Sequence, residues 1–188
     1  RAARKIVYDY RDSGGDINDI GNKEKYKEFD IEKVPFTDAE TYAMMARGDS
    51  TMVFQFESPG MQKNLRLLEP SRFEELDAMT SLYRPGPMQF IPQYIDSKQG
   101  RQPISYPDPS LKELLEPTYG VIVYQEQVMK VAQIIAGFSL GQADILRKIM
   151  GKKKKNLLPE QEKKFIEGAM AKGHTAEHAK EIFDMLAP

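Results

Sequence analysis

The sequence has no cysteine, no tryptophan and only two histidines. Without Cys there is no disulfide, no thiolate nucleophile and no Cys-based zinc or iron–sulfur site. The two histidines, His174 and His178, stand close together late in the chain, so no Ser-His-Asp set can be argued around them. No carboxylate near them in sequence completes a metal motif, and they read as solvated helix polarity. No apolar run approaches the ~18–20 residues of a membrane span. There is no Walker loop, no GxGxxG and no GxSxG. An excess of one charge sign is lacking too: 27 Lys and Arg against 28 Asp and Glu leave −1 with His neutral.

What is present is a globular composition. Of 188 residues, 40% are hydrophobic and 29% charged, which is enough apolar matter for a core. Ten methionines read as core filler. The absence of Cys fits a reducing compartment. The opening Arg1-Ala2-Ala3-Arg4-Lys5-Ile6-Val7-Tyr8 reads like the tail of a helix, and Leu186-Ala187-Pro188 stops in mid-helix pattern. The expectation is a piece of a longer protein.

The near-neutral total hides a basic stretch. Residues 144–164 carry eight cations and three anions, centred on Lys152-Lys153-Lys154-Lys155. Such a field suits phosphates or nucleic acid, and a solvated Lys turn after a helix is the other reading.

The pattern along the chain is mainly helical. Residues 9–30 are polar and Gly-containing and read as a loop, without EF-hand spacing. Capping boxes at Thr37-Asp38-Ala39-Glu40 and Ser71-Arg72-Phe73-Glu74 open helices over about 38–47 and up to about Tyr83. Ser58-Pro59 opens one that runs to about Leu68. Thr51–Phe56 and Val121–Tyr124 are β-branched and aromatic and read as short strands. Arg84-Pro85-Gly86-Pro87 is a rigid bend. Residues 88–99 resume a helix interrupted by Pro92, 100–109 form a loop, and a short helix follows at about 110–116. Gln125–Ala136 is a helix with Val128, Val131, Ala132 and Ile135 inward. Ser139 with Gln142 caps a further helix that ends at Gly151. Pro159–Lys172 and Ala176–Leu186 are the last two.

Three constellations could carry chemistry. In the helix after Ser139, Ala143, Leu146, Ile149 and Met150 share an inward face, and Arg147, Lys148 and Lys152 lie off it. They read either as cations complementing the helix dipole or as a phosphate clamp, with a planar fork from Arg147 and point charges from the lysines. Tyr124-Gln125-Glu126-Gln127 reads either as a helix-capping turn or as a set that contacts bases and sugars. Arg84, on its bend, is either a surface residue or pre-positioned for a phosphate.

Four blocks occur in order: Val53-Phe54-Gln55-Phe56-Glu57-Ser58-Pro59-Gly60-Met61, Leu82-Tyr83-Arg84-Pro85-Gly86-Pro87-Met88, the run Tyr119-Gly120-Val121-Ile122-Val123-Tyr124-Gln125-Glu126-Gln127-Val128-Met129, and Leu146-Arg147-Lys148-Ile149-Met150-Gly151-Lys152-Lys153-Lys154. Together they resemble the bacterial replicative DNA polymerase III alpha subunits, the family C polymerases. The resemblance runs from about Pro35 to the end and is dense over 51–155. It implies a mainly α, multi-helix fingers domain over 35–188, here with one or two short strands, and a segment 1–34 that connects from the palm side. It implies binding of the incoming deoxynucleoside triphosphate through Arg147, Lys148 and Lys152, joined by Arg84 and Gln125, with Lys153, Lys154 and Lys155 on the DNA backbone. Gln55 and Ser58 lie in the first block.

In such polymerases Mg2+ is held by palm aspartates, which precede this segment and are not found here, so this chain alone is expected not to polymerise. The resemblance also implies primer-template DNA as a partner, sliding clamp and clamp loader through the parent chain, and a bacterial cytoplasmic setting. Two departures stand out: Lys148 where the family commonly has Arg, which loses the bidentate fork, and Ile149 where Ala is common. The alternative is a non-catalytic helical module that holds DNA backbone or a protein partner.

Overall fold

The computed structural model describes residues 35–151 and 155–186. The expected connecting segment 1–34 lies outside the described residues. Ala39–Pro188 is a compact unit by itself. Its first half contains α1 (Ala39–Arg47), α2 (Pro59–Leu68), α3 (Phe73–Leu82) and α4 (Ile91–Lys98). Its second half contains α5 (Lys112–Leu115), α6 (Gln125–Ala136), α7 (Leu140–Gly151), α8 (Leu158–Ala171) and α9 (Ala176–Leu186). The protein is mainly α, as its periodicity predicts.

Several helix starts follow from local chemistry. Ser58 accepts a hydrogen bond from the Met61 N–H at 3.2 Å, and Pro59 fills the first helical position. Ser139 and Gln142 cap reciprocally: Ser139 N–H donates to Gln142 Oε1 at 2.8 Å, and Gln142 N–H donates to Ser139 Oγ at 3.3 Å. The box at α3 is shifted by one residue. Glu75, not Glu74, reaches back, accepting from the Ser71 N–H at 2.8 Å, because Arg72 holds the cap position. Pro92 opens α4 rather than interrupting it, since the first turns of a helix need no N–H from proline.

There are two hydrophobic cores. The first joins α1–α4 around Met61, Leu65, Leu68, Met79, Leu82 and Tyr94. The second joins α5–α9 around Leu115, Val131, Ile135, Leu146, Phe165 and Ile182. Helix α6 runs through the second core and packs on α5, α7, α8 and α9. It lies close against α8 at Gly168, where a Cβ would run into the Ala136 carbonyl oxygen.

Both expected strands are absent, and no strand occurs among the described residues. Thr51–Phe56 is a pair of consecutive turns instead: Val53 N–H donates to Ser50 O at 3.0 Å and Phe56 N–H to Val53 O at 2.9 Å. Met52 and Gln55 take positive φ values of 65° and 67°, each at the third position of its turn. Val53 and Phe56 pack on the first core while Met52 and Phe54 point out, so the inward spacing is three rather than two.

Val121–Tyr124 pairs with no strand among the described residues, and Tyr124 is extended at its end. Tyr119, Val121, Val123 and Tyr124 face the first core and Ile122 faces the second, so the segment is threaded between two cores. Side chains supply what a neighbouring strand would: Val123 and Tyr124 N–H donate to Gln127 Oε1 at 2.8 and 3.0 Å, and Thr118 Oγ1 donates to Val121 O at 2.7 Å.

A buried charge anchors the start of this segment. Glu75, 1% exposed, accepts from the Tyr119 hydroxyl at 2.5 Å and lies 3.3 Å from Arg72 Nε and 3.6 Å from Lys98 Nζ. Arg72 also sits over the Tyr119 ring, 5.2 Å from its centroid, and donates to Pro117 O at 2.9 Å. Burial pushes the Glu75 carboxyl up, but the Tyr119 and Ser71 hydrogen bonds, with Lys98 and Arg72, outweigh it and hold the group below its ordinary range. The chain from Tyr119 therefore leaves a fixed point and ends at Gln125.

Candidate functional site

Gln125 is the first residue of α6, and Arg147 lies in the last turns of α7. The two helices pack together, and their side chains meet: Arg147 Nη1 donates to Gln125 Oε1 at 2.8 Å. Arg147 Nη2 and Nε donate to Asp144 Oδ1 at 2.7 and 3.1 Å. Lys148 Nζ takes the other oxygen, Asp144 Oδ2, at 2.6 Å. One carboxylate thus holds both cations, one on each oxygen. Lys148 first and Arg147 second keep that carboxyl below its ordinary range.

The seat of this cluster is rigid and its face is open. Ala143 and Leu146 are buried in the second core and Ile149 is buried beside them, as the helical spacing predicts, and Met150 packs on that core. Arg147 keeps 30% of its side chain exposed and Lys148 57%. The guanidinium is fixed by two helices while an edge remains available to an anion, and the ammonium beside it is more exposed and held by Asp144 alone. The arrangement can bind a phosphate by exchanging Asp144 oxygens for phosphate oxygens.

Of the residues singled out in the sequence, Arg147, Lys148 and Gln125 come together. Arg84 does not join them. It is exposed on its bend and makes no side-chain hydrogen bond or ion pair among the described residues. Gly86 there has φ 102°, so the bend has the conformation its Pro-Gly-Pro sequence predicts. Lys152, Lys153 and Lys154 lie outside the described residues, and Lys155 opens a single 3-10 turn, Lys155–Leu157. Ser58 is committed to its helix cap, and Gln55 stands exposed in its turn. Gln127 is structural, with Nε2 donating to Thr118 Oγ1 at 2.9 Å.

Asp144 was missed, although it stands three and four residues before the cations, where carboxylates pair with them along a helix. A second cluster was misread. His174 and His178 are half-buried rather than solvated, and both face Asp108, which comes from far upstream. Only the fold brings that carboxylate to them.

Comparison with known proteins adds to this geometry. A family model described as the bacterial DNA polymerase III alpha subunit finger domain matches residues 15–173. DNA polymerase III subunit alpha of Borreliella burgdorferi is 56% identical over 161 residues, covering 86% of this chain and 14% of that protein. The same subunit of Caulobacter vibrioides is 49% identical over 165 residues, with 88% and 14% covered. That of Bacillus subtilis is 44% identical over 170 residues, with 90% and 15% covered. The chain therefore spans about one-seventh of the length of these relatives. Among the described residues no helix is long and apolar enough to cross a membrane.

Proposed function

Since the chain belongs to the bacterial DNA polymerase III alpha subunit finger-domain family, we propose that it receives the incoming deoxynucleoside triphosphate in a replicative DNA-directed DNA polymerase. The observation that carries this reading is the Gln125–Arg147–Asp144–Lys148 cluster. The guanidinium of Arg147 and the ammonium of Lys148 take the triphosphate oxygens, and Asp144 gives them up as the phosphate arrives. Gln125 holds the guanidinium in place during the exchange, so the fork is already oriented when charge builds on the leaving pyrophosphate. Lys152, one turn on in sequence, is assigned to the same triphosphate by the family resemblance, and Arg84, exposed and without a side-chain partner among the described residues, can meet the nucleotide from its bend. Lys153, Lys154 and Lys155 take the primer-template backbone, a salt-sensitive contact.

Catalytic Mg2+ belongs to carboxylates outside this chain. Among the described residues the carboxylate that meets Arg147, Asp144, has both oxygens committed to cations, which does not fit the set of oxygen ligands that Mg2+ requires. We expect the chain by itself not to carry out nucleotidyl transfer. Primer-template DNA, the sliding clamp and the clamp loader are partners of the parent, in the bacterial cytoplasm.

The test is Arg147→Ala in the complete polymerase. Turnover at saturating nucleotide is expected to fall by roughly 10²–10³, in the range of a lost transition-state donor, with primer-template affinity changed severalfold at most. Unchanged nucleotide kinetics with weakened duplex binding would replace this reading by one in which the basic helix end only holds DNA.

A further inference from the structure

Asp108, His174 and His178 come from three places in the chain. Asp108 caps the 3-10 turn before α5, His174 lies in the connection between α8 and α9, and His178 is in the first turn of α9. The donor atoms of all three lie within 4.8 Å of one another. His178 Nε2 is 2.9 Å and His174 Nδ1 3.6 Å from the same carboxylate oxygen, Asp108 Oδ2. A tetrahedral ion with bonds of about 2.0–2.1 Å sets its donors roughly 3.3 Å apart, and the two distances bracket that spacing.

The rest of the cluster is arranged around those donors. The other oxygen, Asp108 Oδ1, accepts from Ser110 N–H at 2.9 Å and Ser110 Oγ at 2.6 Å, which turns Oδ2 toward the two rings. The backbones that carry the rings are tied down: His174 N–H donates to Ala169 O at 3.1 Å, and His178 N–H donates to Thr175 Oγ1 at 3.2 Å. A simple Asp–His hydrogen bond explains one ring. It does not explain the second, which lies beyond hydrogen-bond reach with its plane tilted 34° from the first and centroids 5.8 Å apart.

We propose that Asp108, His174 and His178 form a binding site for a zinc-class divalent cation. Two imidazole nitrogens and one carboxylate oxygen are a borderline donor set that suits Zn2+ and leaves a fourth position for water; the oxygen-seeking Mg2+ and Ca2+ are disfavoured. The site is remote in sequence from Gln125 and Arg147 and stands apart from their chemistry. It staples the segment before α5 to the start of α9 and so closes the second core by a bond that the apolar packing does not supply.

The test exploits the composition. The chain has two histidines and no cysteine, so nitrogen-ligated zinc has no competing side chains. Zn2+ is titrated into the chain while the imidazole nitrogens are followed by NMR. One equivalent is expected to shift both rings, with equimolar Mg2+ shifting neither. His178→Ala is expected to weaken Zn2+ by about a hundredfold or more and Ser110→Ala by about tenfold, the usual loss for an outer partner. Asp108→Asn keeps the fold readable should the His variant unfold, and it too is expected to lose tight binding. Rings that do not move with Zn2+, or that move equally in Asp108→Asn, would overturn the site and leave the Asp108–His178 hydrogen bond as its whole content.

Discussion

The two cores of this domain are built differently. The second is dry: Phe138, Phe165 and Phe183 pack ring against ring, at 6.0 and 5.5 Å between centroids, among aliphatic side chains. Arg147 and Asp144 sit at its rim, and its buried carboxylate, Asp108, is held at the edge by Ser110 and His178. The first core mixes three methionines with a buried tyrosine and encloses Glu75. The dry core gives α7 a firm seat and leaves its outer face free to carry cations. The charged core fixes the Tyr119 end of the threaded segment, for which apolar contact alone gives no direction. Buried ion networks add little net stability over apolar packing, so positional definition is the better account of Glu75.

Breaking the dry core has the largest expected effect. Phe165 is 0% exposed and touches both other rings. Phe165→Ala is expected to cost about 4 kcal/mol, read from chemical denaturation. A loss under about 1 kcal/mol would mean that the aromatic cluster is not the centre of this half.

Breaking the charged core comes next. Glu75→Gln leaves Arg72 and Lys98 facing a neutral group, at a cost of about 3 kcal/mol, the lower end for a buried pair because Arg72 is part-exposed. The variant also changes the pH response. The folded Glu75 pKa lies below the unfolded value. Its contribution is therefore complete above the ordinary glutamate pKa of about 4.3 and is lost as the pH falls through the depressed folded value. Unfolding followed from pH 7 downward is expected to show a shallower acid limb in Glu75→Gln than in the unsubstituted chain. Identical acid limbs would show that Glu75 is not the group that couples this core to pH.

The same contrast explains how much could be read from the sequence. Around α7 the local rules hold: Ser139 and Gln142 announce the helix, and the spacing of Ala143, Leu146 and Ile149 gives its buried face, so the Arg147–Lys148 face follows. In two other segments, one in each half, local rules are overridden. Val121–Tyr124, in the second half, has strand composition but lies between the cores, with Gln127 in place of a partner strand. Thr51–Phe56 has strand composition yet bends twice, because Val53 and Phe56 must both reach the core. Carboxylates were the blind spot. Glu75 and Asp108 meet partners more than 40 residues away, which no local spacing encodes. Asp144 was legible from its i+3 and i+4 partners.

The smallest expected effect separates two tyrosines of one core. Tyr94 is 0% exposed and its hydroxyl makes no hydrogen bond to the described residues, while its ring stands edge-on to Tyr119 at 5.2 Å. Burial raises its pKa far above the ordinary range, so it stays neutral. Tyr119 donates to Glu75, and burial first and that carboxylate second push its hydroxyl up to about 12. Removing a buried hydroxyl without a partner removes only its desolvation cost, whereas removing a donor to a charged group loses about 1.5–3 kcal/mol. Tyr119→Phe is accordingly expected to destabilise by about 1.5–2 kcal/mol, and Tyr94→Phe to leave stability unchanged or raise it by up to about 1 kcal/mol. Measured side by side in denaturant, equal losses would mean that the Glu75 network extends to Tyr94 and that the first core is wetter than its packing shows. Opposite signs would place the network's boundary between two rings in contact, with charge on the Tyr119 side and ordinary apolar packing on the other.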